Sequence, residues 1–131
     1  MEQFLENQCN PKQLSPQTLA FVGDGVYDLL VREYLVKQAN RPVGELNKLK
    51  VKLVNCKAQA NYAQLLLPDL TDSEVAVYKR GRNATTQNTP KNANVADYHS
   101  ATGLEALFGY LYLNNELPRI KELFYKILSN T

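Results

Sequence analysis

The sequence predicts an all-α fold, and three observations carry that prediction. Apolar residues recur at helical spacing along most of the 131 residues. No stretch shows the strict alternation of a half-buried strand. Serine, threonine and proline stand where helices would begin.

Taken in order, the first helix opens at Ser15-Pro16, a good N-cap followed by a proline at the first helical position. Leu19, Val22, Val26, Leu29, Leu30 and Val31 follow at helical spacing, and the element ends near Asn40-Arg41-Pro42. The spacing predicts a second helix from Gly44 to about Leu67, with Leu46, Leu49, Leu53, Val54, Ala58 and Tyr62 on its inner side and Pro68 as its stop. Thr71 or Asp72 caps a third, with Glu74 in its first turn. Residues 83–94 carry almost no apolar content and read as a long polar loop. A helix resumes near Val95 or Asp97 and runs through Leu104, Leu107, Phe108, Leu111 and Tyr112 to about Asn115. Pro118 opens a last amphipathic helix through Ile120, Leu123, Phe124, Ile127 and Leu128.

Length and composition suit one domain over residues 1–131 that builds its own core. No apolar run reaches the roughly 20 residues of a membrane span. The acidic start Met1-Glu2-Gln3-Phe4-Leu5-Glu6 lacks a signal-peptide layout, so a cytoplasmic location is expected. Cys9 and Cys56 form no Cys-x-x-Cys pair, and one histidine leaves no ligand set for zinc. Both thiols are expected to be free and at least half-buried. The net charge of +2 is unevenly spread: residues 32–91 hold 11 Lys and Arg against 5 Asp and Glu, the remainder 4 against 8. A basic half and an acidic half suit a polyanionic partner and a separate acidic site, although a mixed-charge solvated surface would look the same.

Two carboxylates stand out. Asp24 lies in Leu19-Ala20-Phe21-Val22-Gly23-Asp24-Gly25-Val26-Tyr27, between two glycines in mid-helix. Each glycine there costs about 1 kcal/mol relative to alanine. Close helix packing or access for a ligand would explain that cost. Glu105 repeats the pattern in Ala101-Thr102-Gly103-Leu104-Glu105-Ala106-Leu107-Phe108-Gly109-Tyr110. If the two thinned helices pack together, the acids meet, and two hard oxygen ligands with several waters make an ordinary magnesium site. The plain alternative is two solvent-facing acids on amphipathic helices.

Phe21-Val22-Gly23-Asp24-Gly25-Val26, Leu53-Val54-Asn55-Cys56-Lys57-Ala58 and Leu104-Glu105-Ala106-Leu107-Phe108-Gly109-Tyr110-Leu111-Tyr112-Leu113 resemble, in order and separation, three motifs of the ribonuclease III family. The resemblance covers roughly residues 15–115. Gly25-Val26-Tyr27-Asp28, Ala101-Thr102-Gly103 and the basic turn Lys79-Arg80-Gly81-Arg82-Asn83-Ala84 resemble its Mini-III branch, which lacks a double-stranded-RNA-binding domain. With 131 residues, no such domain is expected here.

The resemblance implies the family's helical-bundle endonuclease domain. It also implies magnesium-dependent hydrolysis of double-stranded RNA to 5′-phosphate and 3′-hydroxyl ends. Asp24 and Glu105 match the acids that hold the catalytic magnesium. Two further family acids are replaced by Gln17 and Thr102, and a third signature acid by Ala20, which leaves the number of metal ions open. A homodimer is implied, with Phe21, Val22 and Tyr27 as interface candidates or else ordinary core. Lys48 and Lys52 share a helix face, as do Lys50 and Lys57; Lys79, Arg80, Arg82 and Lys91 bracket the polar loop. Lys48, Lys52, Lys79, Arg80, Arg82 and Lys91 are the candidate RNA-binding residues, and the loop is expected to enter a groove of the duplex. Asp28 could assist Asp24 through water or simply face solvent. His99 suits a surface or RNA-contacting role better than a general base. Tyr98, Tyr110 and Tyr112 suit core and interface packing better than base stacking. The branch's substrate is the large-subunit (23S) ribosomal RNA precursor, trimmed with possible help from a ribosomal protein. Two other readings stay open: a catalytically silent RNA-binding or assembly module on the same fold, and a helical protein-interaction domain.

Overall fold

The computed structural model describes residues 3–84 and 94–130. Six α-helices and no strands are found among them: α1 (Pro16–Gln38), α2 (Val43–Val54), α3 (Cys56–Leu66), α4 (Asp72–Arg82), α5 (Val95–Leu113) and α6 (Leu117–Leu128). The all-α expectation holds.

Local chemistry sets the helix ends. The Ser15 side chain accepts from the Thr18 N–H, with Pro16 in the first turn. Thr71 and Glu74 form a reciprocal capping box at α4. Asn94 caps α5 by accepting from the Asp97 N–H. At the other end of α5, Asn115 takes a left-handed φ of 58°. That lets the Glu116 N–H reach the Leu111 carbonyl at 2.8 Å and starts α6 without a long connection.

One expectation is corrected. The single helix from Gly44 to Leu67 is two helices, broken at Asn55. The Asn55 backbone is extended (ψ 158°), its side-chain oxygen accepts from the Ala58 N–H at 2.8 Å, and its amide donates to the Val51 carbonyl at 2.9 Å. One side chain therefore ends α2 and starts α3. The expected inner residues Leu46, Leu49, Leu53 and Val54 on α2, and Ala58 and Tyr62 on α3, are half-buried. Lys50 and Lys57 fall on different helices and form no common stripe.

Helix α5 is the centre. Ala101, Gly103, Leu104 and every residue from Ala106 to Leu111 are buried, as suits a helix enclosed on most sides. It packs most extensively against α1, then against α4 and α3, with α6 closing one end. Tyr27 is fully buried, its ring 5.6 Å from that of Phe108 and 6.0 Å from that of Phe124. Its hydroxyl donates to the Leu53 carbonyl at 2.8 Å, tying α1 to α2. Tyr27 is thus core and not an interface residue, whereas Phe21 is 83% exposed. Tyr110 is buried and Tyr112 half-buried. Cys9 is exposed, contrary to expectation, because it lies in the segment before the first helix; Cys56 is half-buried, and both thiols are free.

Candidate active site

Glycine creates the site by removing side chains between α1 and α5. A Cβ on Gly23 would overlap the Glu105 carbonyl and stand 2.8 Å from the Gly109 nitrogen. A Cβ on Gly109 would overlap the Leu19 carbonyl. The two backbones therefore touch, which only glycine permits. Gly25 has a different role: open space surrounds its Cβ position, and it borders the cavity described next. Of the two explanations for paired glycines, close packing applies to Gly23 and access to Gly25.

This crossing brings Asp24 and Glu105 together. Both line a cavity of about 630 Å³ whose walls come from four helices: Asp24, Gly25 and Asp28 from α1; Lys50 and Val54 from α2; Cys56 and Gln59 from α3; Tyr98, Ala101, Thr102 and Glu105 from α5. The two carboxyl groups are near enough to influence each other directly. Burial pushes the Glu105 carboxyl up to about 8, and the Asp24 charge and the shared hydrogen bond push the same way. Only the hydrogen bond from Gln59 opposes them. Two acids pressed together at this cost form a pocket that a hard cation would relieve. No cluster of three or more His, Cys, Asp or Glu suited to a metal occurs among the described residues. A cation here would therefore keep several waters, as magnesium commonly does.

Sequence reasoning missed Gln59. It is only 4% exposed, and its amide N–H donates to the Val54 carbonyl at 2.8 Å. Its Oε1 is buried without a hydrogen-bond partner. A glutamine in a predicted helix carries no distinctive signal; only the break at Asn55 turns it into the cavity. Lys50 was also underrated: it reaches Asp28 at 3.2 Å inside the same cavity. Asp28 also accepts from Arg32 at 2.5 Å. Burial would raise its carboxyl, but the Arg32 and Lys50 hydrogen bonds and charges outweigh that and hold it below the usual range.

The other candidates are scattered. Thr102 lines the cavity, but its hydroxyl donates to the Tyr98 carbonyl at 3.0 Å within α5. Gln17 is exposed at the start of α1, and Ala20 is buried. Burial, then the Glu105 and Asp97 charges, push the Cys56 thiol up, which disfavours a thiolate role. Tyr98 borders the cavity, whereas His99 is half-buried outside its lining, its Nδ1 enclosed without a partner.

Lys48 and Lys52 are exposed on α2. Lys79, Arg80 and Arg82 form the last turn of α4. There Gly81 meets α5 so closely that its Cβ would stand 2.9 Å from the Gly103 Cα. The basic turn is thus anchored on α5 two residues before Glu105, on a different face of that helix. Arg80 donates to the Leu14 carbonyl at 3.2 Å, and Arg82 lies over the Tyr78 ring at 5.8 Å. Lys91 and most of the polar loop lie outside the described residues.

The chain matches the Ribonuclease III domain family over residues 17–116, a span that holds both acids. It is 46% identical over 110 residues to "Mini-ribonuclease 3" of Thermoanaerobacter sp., covering 84% of this chain and 78% of that protein. With "Mini-ribonuclease 3" of Enterococcus faecalis it shares 42% identity over 114 residues, 86% of each. A crystal structure of a protein from Fusobacterium nucleatum superposes with a TM-score of 0.83 at 30% identity, covering 91% of this chain and 95% of that one. No described helix is long and apolar enough to cross a membrane. Fold, extent of match and degree of identity agree: this chain belongs to the ribonuclease III family, among its Mini-ribonuclease 3 members, and is an endoribonuclease.

Proposed function

We propose that this endoribonuclease cuts double-stranded RNA with magnesium held by Asp24 and Glu105, acts as a homodimer in the cytoplasm, and matures the ends of the 23S ribosomal RNA precursor. The observation that carries the reading is the meeting of those two acids in one open-mouthed cavity. Family enzymes are metal-dependent, and two carboxylates with room for water suit a hard divalent ion. When bound, magnesium supplies electrophilic stabilisation of a phosphoryl oxygen and makes water a better nucleophile. Asp24 and Glu105 serve as its ligands and do not attack phosphorus. Gln59 lines the same cavity and favours the charged form of Glu105. Expected products carry 5′-phosphate and 3′-hydroxyl ends.

Dimerisation is supported by the outer face of α1. Phe21 is exposed, and its neighbour in the chain, Val22, lines an apolar cavity of about 410 Å³ together with Phe4, Val26, Leu29, Leu30 and Ile120. A duplex has two strands, and a two-fold axis gives each its own site. Lys48, Lys52, Lys79, Arg80, Arg82 and Lys91 are assigned to the RNA backbone, because A-form duplexes are gripped mainly through phosphates and 2′-hydroxyls.

The test is cleavage of duplex RNA and of a 23S precursor by wild type and Glu105→Gln, in magnesium and in chelator. Cleavage should require magnesium and fall at least about 100-fold in the variant. Undiminished cleavage in chelator, or by Glu105→Gln, would overturn the assignment.

A further inference from the structure

We propose that Lys50 binds a backbone phosphate of the RNA beside the cut, and that Asp28 is its positioning residue. The assignment rests on the nuclease reading above and goes beyond it, since the acids and the exposed basic residues do not include Lys50. On α2, Lys48 and Lys52 are exposed, but the Lys50 side chain is only 21% exposed and turned to the cavity. Withdrawing an ammonium from water is unfavourable unless a partner compensates. Asp28 at 3.2 Å is that partner.

Charge arithmetic then separates Lys50 from an ordinary inter-helix ion pair. Asp28 is already neutralised by Arg32, one helical turn on at 2.5 Å. Two cations on one carboxylate leave the cluster with one surplus positive charge. Arg32 is mostly solvent-exposed, while Lys50 and Asp28 both line the cavity. The surplus therefore faces the same space as Asp24 and Glu105. An ammonium carries three N–H donors, and one Asp28 oxygen accepts only one. The free donors suit a non-bridging phosphate oxygen. One wall of the cavity thus suits a hard cation and another suits an anion, the combination a phosphodiester backbone requires of a nuclease.

Three variants test this: Lys50→Met, Lys50→Gln in case the first folds poorly, and Lys50→Arg. Duplex-RNA binding is measured across a salt series in chelator, and cleavage kinetics in magnesium. Loss of one phosphate contact should flatten the slope of log affinity against log salt by about one. It should also lower kcat/KM by about tenfold, mainly through KM. Lys50→Arg should restore most of both, and thermal stability should change little. A wild-type slope and kcat/KM in Lys50→Met or Lys50→Gln would overturn the proposal. So would a loss that arginine does not rescue and that tracks a fall in melting temperature. If the wild type cuts no duplex RNA, the nuclease reading fails, while the salt slope still decides whether Lys50 holds a phosphate.

Discussion

Gly23 on α1 and Gly109 on α5 are in backbone contact, and that contact places Asp24 and Glu105 in one cavity. Overfilling a packed interior costs about 1–3 kcal/mol, and more where the opposing atoms cannot move. Gly23→Ala presses a methyl group onto helix backbone, so a loss of about 3 kcal/mol, roughly 10 °C in melting temperature, is expected. Gly25→Ala meets only open space and should be neutral or stabilising by up to about 1 kcal/mol. Thermal unfolding by circular dichroism distinguishes them; equal effects would refute the packing argument.

The acid pair predicts an unusual pH dependence for the metal-free protein. Glu105 has a folded-state value of about 8, above that of an unfolded carboxyl. Its contribution is fully present at acidic pH and is lost as pH rises through about 8. Melting temperature in chelator should therefore fall between about pH 5 and about pH 9, and Glu105→Gln should flatten that slope. Magnesium should stabilise the wild type most at the alkaline end, where the pair is fully charged. Differential scanning fluorimetry across pH reads all three.

Gln59 should matter to metal affinity more than to folding. Its amide donates to the Val54 carbonyl, and its side chain borders the cavity beside Glu105, whose charged form it favours. Removing a group that orients a ligand typically costs about 10–100-fold in affinity. Gln59→Leu is expected to weaken magnesium binding by that factor in calorimetric titration while the helical spectrum persists. Unchanged affinity would remove Gln59 from the site.

Outside the cavity lining, Glu74 and Arg119 form a two-pronged pair at 2.8 and 2.9 Å that joins α4 to α6. Glu74 is only 4% exposed. Burial alone would raise its carboxyl, but hydrogen bonds and charge from Arg119, with capping bonds at Thr71, bring it below the usual range. This stabilisation is present at neutral pH and is lost as pH falls through the carboxylate range. Arg119→Met strands a buried charge and should cost about 3–5 kcal/mol in urea unfolding at pH 7. The difference from wild type should shrink in acid, and adding Glu74→Gln should recover part of the loss.

Phe21→Glu tests the assembly. The side chain is exposed in the protomer, so folding should be unaffected. Sedimentation velocity should report a dimer for wild type and a monomer for the variant. A variant that stays dimeric places the interface elsewhere.

Much of this architecture was legible because its signals are local. Ser15-Pro16, Thr71 with Glu74, and the period of α5 each fix an element within a few residues. The two acids were visible as charges between small residues on helices that had to pack. The Asn55 break was not, because the apolar stripe continues across it and one side chain decides the matter. Gln59 was missed, and Lys50 was placed on a stripe with Lys57, for the same reason: their direction depends on how α2 and α3 turn about Asn55. The choice between interface and core for Tyr27 was not legible either, because a hydroxyl that finds the Leu53 carbonyl can be buried at little cost.

The cavity draws its walls from residues between Asp24 and Glu105 on four separate helices, and no two of those helices supply the whole lining. The complete cavity therefore exists only when all four helices are in place. A chain in which α1 and α5 have not yet packed owns both acids but holds them apart.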